Sequence, residues 1–150
     1  MSRIQVVFEK VVLVKEKVGR YELPRKIGSP EDAYRAITTI TNVQEEAQEV
    51  LGILILNIKN KIVAVHEISR GTLNASVIHP REVFKPAVLD NAAAIICFHN
   101  HPSGDPKPSK EDVNITNRLV EAGEILGIEI LDHIIVGDGR YVSLKEGAVM

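Results

Sequence analysis

Residues 92–98 read Ala-Ala-Ala-Ile-Ile-Cys-Phe, short, unbroken and apolar on both faces, which is the pattern of a buried strand. Ile53-Leu54-Ile55-Leu56 has the same two-sided character, so the sheet these segments form is expected to be covered by helices on both sides. Residues 52–58 and 61–68 flank Lys59-Asn60 and are expected to pair antiparallel. Residues 128–136 and 140–144 flank Gly137-Asp138-Gly139, a strong turn signal, and predict a closing hairpin. Ser29-Pro30-Glu31-Asp32 starts a helix with proline at its first position, and residues 80–91 read as helical around Pro86. At the N-terminus, residues 4–17 and the region near Tyr21 and Leu23 suggest a hairpin turning at Val18-Gly19-Arg20. The class is α/β, with a mixed central sheet flanked by helices.

The last helix opens at Ser109, whose side chain suits the N-cap after a rigid loop containing Pro102, Pro106 and Pro108. At 100° per residue, Thr116, Leu119, Val120, Gly123 and Leu126 share a face with Asp112, while Lys110, Glu111, Asn114, Asn117, Arg118, Glu121 and Glu124 share the other. Asp112 therefore points inward. A carboxylate in an apolar stripe must be paired, capped or bound to metal, because burying it bare costs several kcal/mol or protonates it.

Strand alternation carried past Phe98 puts His99 and His101 on one face, two positions apart and able to converge on one ion. Taken singly, each residue has an ordinary explanation: Ser109 and Asp112 fit a capping box, and a histidine at a strand end is commonly a surface or core side chain. Taken together, two inward histidines and an inward aspartate favour one zinc per chain, since zinc accepts a His, His, Asp set with water in the fourth position.

Length and composition fit one domain spanning residues 1–150, with 45% hydrophobic residues to build its core. The apolar runs are too short to cross a bilayer, and the first ten residues are too charged for a signal peptide, so a cytoplasmic protein without a membrane partner is expected. A single cysteine, Cys97, excludes an intrachain disulfide and suits a reducing compartment; it shares strand parity with His99, but burial explains it without a ligand role. The net charge is −2 with acidic and basic residues interspersed, which argues against non-specific binding to nucleic acid. Residues 10–26 are modestly basic and fit a partner-facing hairpin equally well.

The spacing His-x-His, seven residues, Ser, two residues, Asp, met by His99, His101, Ser109 and Asp112, resembles the JAMM (MPN+) metalloprotease motif. The longer string HNHPSGDPKPSKED, with RGTLNASVIHPREVFKPAVLDNAA before it and LDHIIVG after it, is similar to the bacterial RadC branch over roughly residues 44–146. The resemblance implies a JAB/MPN sandwich of the cytidine-deaminase-like kind, with residues 1–43 as an N-terminal hairpin and helix and 44–146 as the catalytic core. RadC-like proteins commonly carry an upstream helix-hairpin-helix region; none is legible in this sequence.

The resemblance also implies a reaction: hydrolysis of a peptide or isopeptide bond by a water that zinc activates on His99, His101 and Asp112. Glu49, in the context Glu-Val-Leu-Gly-Ile-Leu, matches the family's general base; Glu67 beside His66 is the competitor. A helix over residues 43–51 would put Glu49 with Glu45 on a solvated face, so the assignment rests on the resemblance. Ser109, by the same likeness, donates to the oxyanion. Asp132-His133 matches the family's string, which offers support for a ligand as one reading, while His66, His79 and His133 otherwise read as structural. The expected partner is an unidentified peptide or protein substrate, with a second copy or another protein as a further alternative. A DNA-associated protein and a metal-free scaffold on the same fold are the competing classes.

Overall fold

Alternation along two neighbouring strands sets the layers of this molecule, described here from a computed structural model covering residues 1–73 and 78–150. The strands are β1 (Val50–Leu56), β2 (Ile62–Arg70), β3 (Ala94–Asn100), β4 (Glu129–Val136) and β5 (Tyr141–Ser143), and the helices are α1 (Pro30–Thr41), α2 (Pro80–Leu89) and α3 (Lys110–Leu126). One mixed sheet runs β2-β1-β3-β4-β5, parallel between β3 and β4 and antiparallel elsewhere. β1 and β3 are buried along their whole lengths, as their two-sided apolar sequences require.

Odd and even positions separate into two cores. Leu51, Ile53, Ile55, Ile95 and Cys97 face α2 and α3, where Val83, Phe84, Ala87, Ile115 and Leu119 cover them. Val50, Leu54, Leu56, Ala94, Ile96 and Phe98 face α1, against Ala33, Ala36 and Ile37. The odd parity of β3 therefore delivers its last side chains toward α3, and this positions the candidate site.

The first and last helices each have a side-chain cap where they begin. Ser29 accepts from the Asp32 N–H with Pro30 at the first turn, and Ser109 accepts from the Asp112 N–H while Asp112 answers with a bond from the Ser109 N–H. α3 stops at Gly127, whose φ of 72° is left-handed and favours glycine. Pro86 sits inside α2 without ending it.

The structure departs from the sequence reading in three places. Residues 1–24 contain no helix or strand, and Ile4, Phe8 and Val12 stand in solvent, so the expected N-terminal hairpin is absent; a lone hairpin with no covering layer is marginal in water. Residues 43–51 are not a helix: a short 3-10 turn at Val43–Glu45 gives way to an irregular stretch and then to β1. Asn42 already ends α1 in the left-handed conformation, with φ 55°. On α3 the buried face is Asp112, Ile115, Thr116, Leu119 and Gly123, whereas Leu126 is exposed at the last turn and Val120 only half-buried. Residues 74–77, inside the string that carried the family resemblance, lie outside the described residues.

Candidate metal centre

β3 carries His99 inward at 0% exposure, and the chain keeps its direction for one more step because the His101 N–H bonds to the Val136 carbonyl at 2.8 Å. The two imidazoles meet Asp112 from the first turn of α3. His99 Nε2 lies 3.0 Å from His101 Nε2 and 3.2 Å from Asp112 Oδ1, and His101 Nε2 lies 3.2 Å from Asp112 Oδ2. Among the described residues this is the group of three with metal-ligand chemistry, all of its donor atoms within 4.8 Å of one another.

Whether the donor set fits a cation follows from where the imidazole protons can go. His101 Nδ1 is 2.8 Å from the Asp105 carbonyl, which only accepts, so the ring holds its proton on Nδ1 and presents a bare Nε2 to the cluster. An anionic carboxylate and an imidazole lone pair at this range repel unless a cation or proton stands among them. A tetrahedral zinc with bonds of about 2.0–2.1 Å sets its ligand atoms about 3.3 Å apart, close to the spacing found here. The residues present fit the ion.

The electrostatics agree. Burial raises the Asp112 carboxyl, but its contacts with His101 and His99 and the bond from the Ser109 N–H outweigh it and hold the group well below the usual carboxylate range, so an anion faces the two imidazoles. The Asp112 contact raises His101, with burial opposing and the Asp105 carbonyl and Glu49 adding to the rise, so positive charge, from a proton or a metal ion, is favoured between Nε2 and the carboxylate. Cys97, buried in the core facing α2 and α3, is pushed up to about 12 by burial and by Asp132, so its thiol stays protonated and makes no thiolate ligand.

Glu49 reaches the neighbourhood through sheet register. Leu51 lies across from His99 in the antiparallel β1–β3 pair; continued past the strand ends, that register carries Glu49 toward His101, and the Glu49 carboxylate lies near enough to raise His101. Its Oε2 accepts from the Leu73 N–H at 2.9 Å, and its carbonyl accepts from the Gly71 N–H at 2.8 Å. Glu67 instead pairs with Arg70 at 2.6 Å, with about half its side chain in solvent. Ser109 is exposed beside the cluster; its Oγ accepts from the Asp112 N–H at 3.0 Å, and this leaves the O–H free to donate.

Two features go beyond the roles the sequence offered, which were ligand support or a structural part for His133 and none for Asn100 and Thr116. Asn100, between the histidines and on the opposite parity, accepts from the Val50 N–H at 2.7 Å and donates to the Gln48 carbonyl at 2.9 Å and the Glu46 carbonyl at 3.3 Å. It clamps the segment that carries Glu49 to the end of β3. Thr116 and His133 form the other feature, a buried pair behind His99: His133 Nε2 lies 2.8 Å from His99 Nδ1, and His133 Nδ1 lies 2.6 Å from Thr116 Oγ1. Burial pushes His133 well below the ordinary histidine value. Alternation marked Asn100 as a polar residue aimed into a core, the one signal available for it. The remaining histidines sit elsewhere: His66 bonds Asp90 at 2.6 Å across β2 and the end of α2, and His79 begins α2 without a side-chain cap bond.

With this geometry described, comparison with known proteins is informative. Residues 27–149 match the RadC-like JAB domain. The UPF0758 protein of Methanosarcina mazei is 53% identical over 125 residues, covering 83% of this chain and 54% of that protein. Its counterpart in Caldanaerobacter subterraneus is 54% identical over 120 residues, covering 80% and 51%. That of Methanococcoides burtonii is 48% identical over 145 residues, covering 97% and 62%. The chain thus spans about half the length of the first two relatives, and none of the three names states an activity.

Proposed function

The chain belongs to the RadC-like JAB domain family, and from that premise we propose that it is a zinc-dependent hydrolase of amide bonds, a metallopeptidase or isopeptidase. The single observation that carries the reading is the convergence of His99 Nε2, His101 Nε2 and the Asp112 carboxylate within 3.0–3.2 Å of one another, at a spacing zinc fills. Zinc held there supplies Lewis-acid activation, lowering the pKa of water toward about 7.

The chain's own groups divide the remaining work. Glu49, brought toward His101, takes the proton of the attacking water and returns it to the leaving amine. The Ser109 O–H, free to donate, stabilises negative charge developing on the carbonyl oxygen. Ser109 is held by the same capping box that fixes Asp112, so donor and ligand move as one unit. The substrate is a peptide or protein. Supporting the reading over a metal-free scaffold is the cost of burying this donor set: a scaffold has no use for a carboxylate at 4% exposure facing two imidazoles.

Cleavage of a peptide library by the zinc-loaded protein and by Glu49→Gln tests this. The variant is expected to keep its zinc and its fold and to lose activity by at least about a hundredfold, because an amide cannot take the water's proton. Undiminished cleavage by Glu49→Gln, or its loss in Glu67→Gln instead, overturns the assignment of the base.

A further inference from the structure

Behind the candidate ligand His99 lies a buried chain of hydrogen bonds whose direction can be worked out by counting protons. Thr116 has one hydroxyl proton, and its Oγ1 lies 2.7 Å from the Asp112 carbonyl oxygen, which can only accept; the proton goes there. Toward His133 Nδ1, 2.6 Å away, Thr116 then has only a lone pair, so His133 carries its hydrogen on Nδ1. His133 is 1% exposed and its two ring nitrogens face Thr116 Oγ1 and His99 Nδ1 rather than a carboxylate, so nothing holds a second ring proton; its Nε2 is bare and faces His99 Nδ1 at 2.8 Å. His99 must donate across that contact. Its proton is thereby placed on Nδ1, and its unprotonated Nε2 is turned toward His101 and Asp112.

We propose that Thr116 and His133 are positioning residues that lock His99 into the tautomer required of a metal ligand, through a relay anchored on the main chain of Asp112. The inference rests on the metal reading above. It adds residues to that reading: the relay starts at the backbone of Asp112, whose carboxylate faces His99, so it closes a loop from α3 through β4 and β3 back to α3. His101 reaches the same tautomer by a shorter route, its Nδ1 donating to the Asp105 carbonyl at 2.8 Å. One ligand is thus oriented by the loop after β3 and the other by the core. All three relay members, His99, Thr116 and His133, are buried, with no more than 1% exposure, so water does not compete for these bonds. Groups that orient a ligating histidine in this way typically change metal affinity by roughly ten- to a hundredfold when removed.

The test combines two substitutions with spectra of the unaltered protein. Thr116→Val keeps the side chain's shape but removes the link; Thr116→Ser keeps the hydroxyl. Zinc affinity is measured by competition with a chromophoric chelator, and long-range 1H–15N correlation spectra report which ring nitrogen of each histidine is protonated. Thr116→Val is expected to weaken zinc binding roughly ten- to a hundredfold, Thr116→Ser to bind within about threefold of the wild type, and the wild-type spectrum to show His99 and His133 both protonated on Nδ1. A merely structural hydroxyl would lower the melting temperature of Thr116→Val and leave the zinc affinity of the folded protein unchanged, which overturns the relay. So does a wild-type His133 protonated on Nε2, an observation that stands even if Thr116→Val fails to fold. Zinc bound equally by wild type and Thr116→Val sinks the relay alone, whereas a wild type that binds no zinc sinks the metal reading with it.

Discussion

Ser109 shows how much one residue is asked to do at this site. Its Oγ accepts from the Asp112 N–H, its N–H donates to Asp112 Oδ2 at 2.8 Å, and its O–H is still free. As a cap alone, Ser109→Ala costs about 1 kcal/mol of stability and leaves turnover untouched; as an oxyanion donor it loses roughly a hundredfold or more in kcat. We expect both losses. Ser109→Asp separates them, because aspartate caps as well as serine yet brings an anion to where negative charge develops: the melting temperature returns and activity does not. Restored activity in Ser109→Asp would leave the residue as a cap only. The cap was legible in the sequence, as were His99, His101 and Asp112, because strand parity and helical period are local rules that need no knowledge of the fold. Glu49, Thr116 and His133 follow no such rule. Glu49 is brought toward His101 by the run of β1 alongside β3, and His133 reaches His99 from β4, a pairing formed across more than thirty residues of sequence.

At the scale of elements, Gly52 is the position where the sheet tolerates least. A methyl group added there would overlap the Phe98 ring and come within 2.9 Å of the His66 carbonyl, squeezed between β3 on one side and β2 on the other. Gly52→Ala is expected to cost about 1–3 kcal/mol, read as a lower denaturant midpoint with unchanged slope. A wild-type midpoint would mean that the strands part easily at this point. The neighbouring stretch shows why a helix over residues 43–51, the condition under which Glu49 would share a solvated face with Glu45, does not form. Its polar spacing satisfies a helix pattern, but Asn100 takes the Val50 N–H and supplies donors to the Glu46 and Gln48 carbonyls, bonds that an α-helix would have used internally. Elements with two-sided apolar sequences or clear caps were legible; the stretch governed by one distant amide was not.

For the molecule as a whole, the two-core sandwich follows from the apolar runs of β1 and β3, while the N-terminal hairpin fails because residues 1–24 alternate without a layer to cover them. Among the described residues no helix is long and apolar enough to cross a membrane. With a net charge of −2 and no clustered basic run, affinity for duplex DNA is expected to be weak and to vanish as salt rises to physiological levels. Submicromolar, sequence-dependent binding in a mobility-shift assay at that salt would contradict this. The central claim is that His99, His101 and Asp112 hold a metal, and zinc content per chain tests it most directly. Protein purified without chelator is predicted to carry about one zinc per chain, and His101→Ala and Asp112→Ala to lose most of it while remaining folded, since three protein ligands are what a tight catalytic site uses. Full zinc retention in both variants, or none in the wild type, would contradict the account.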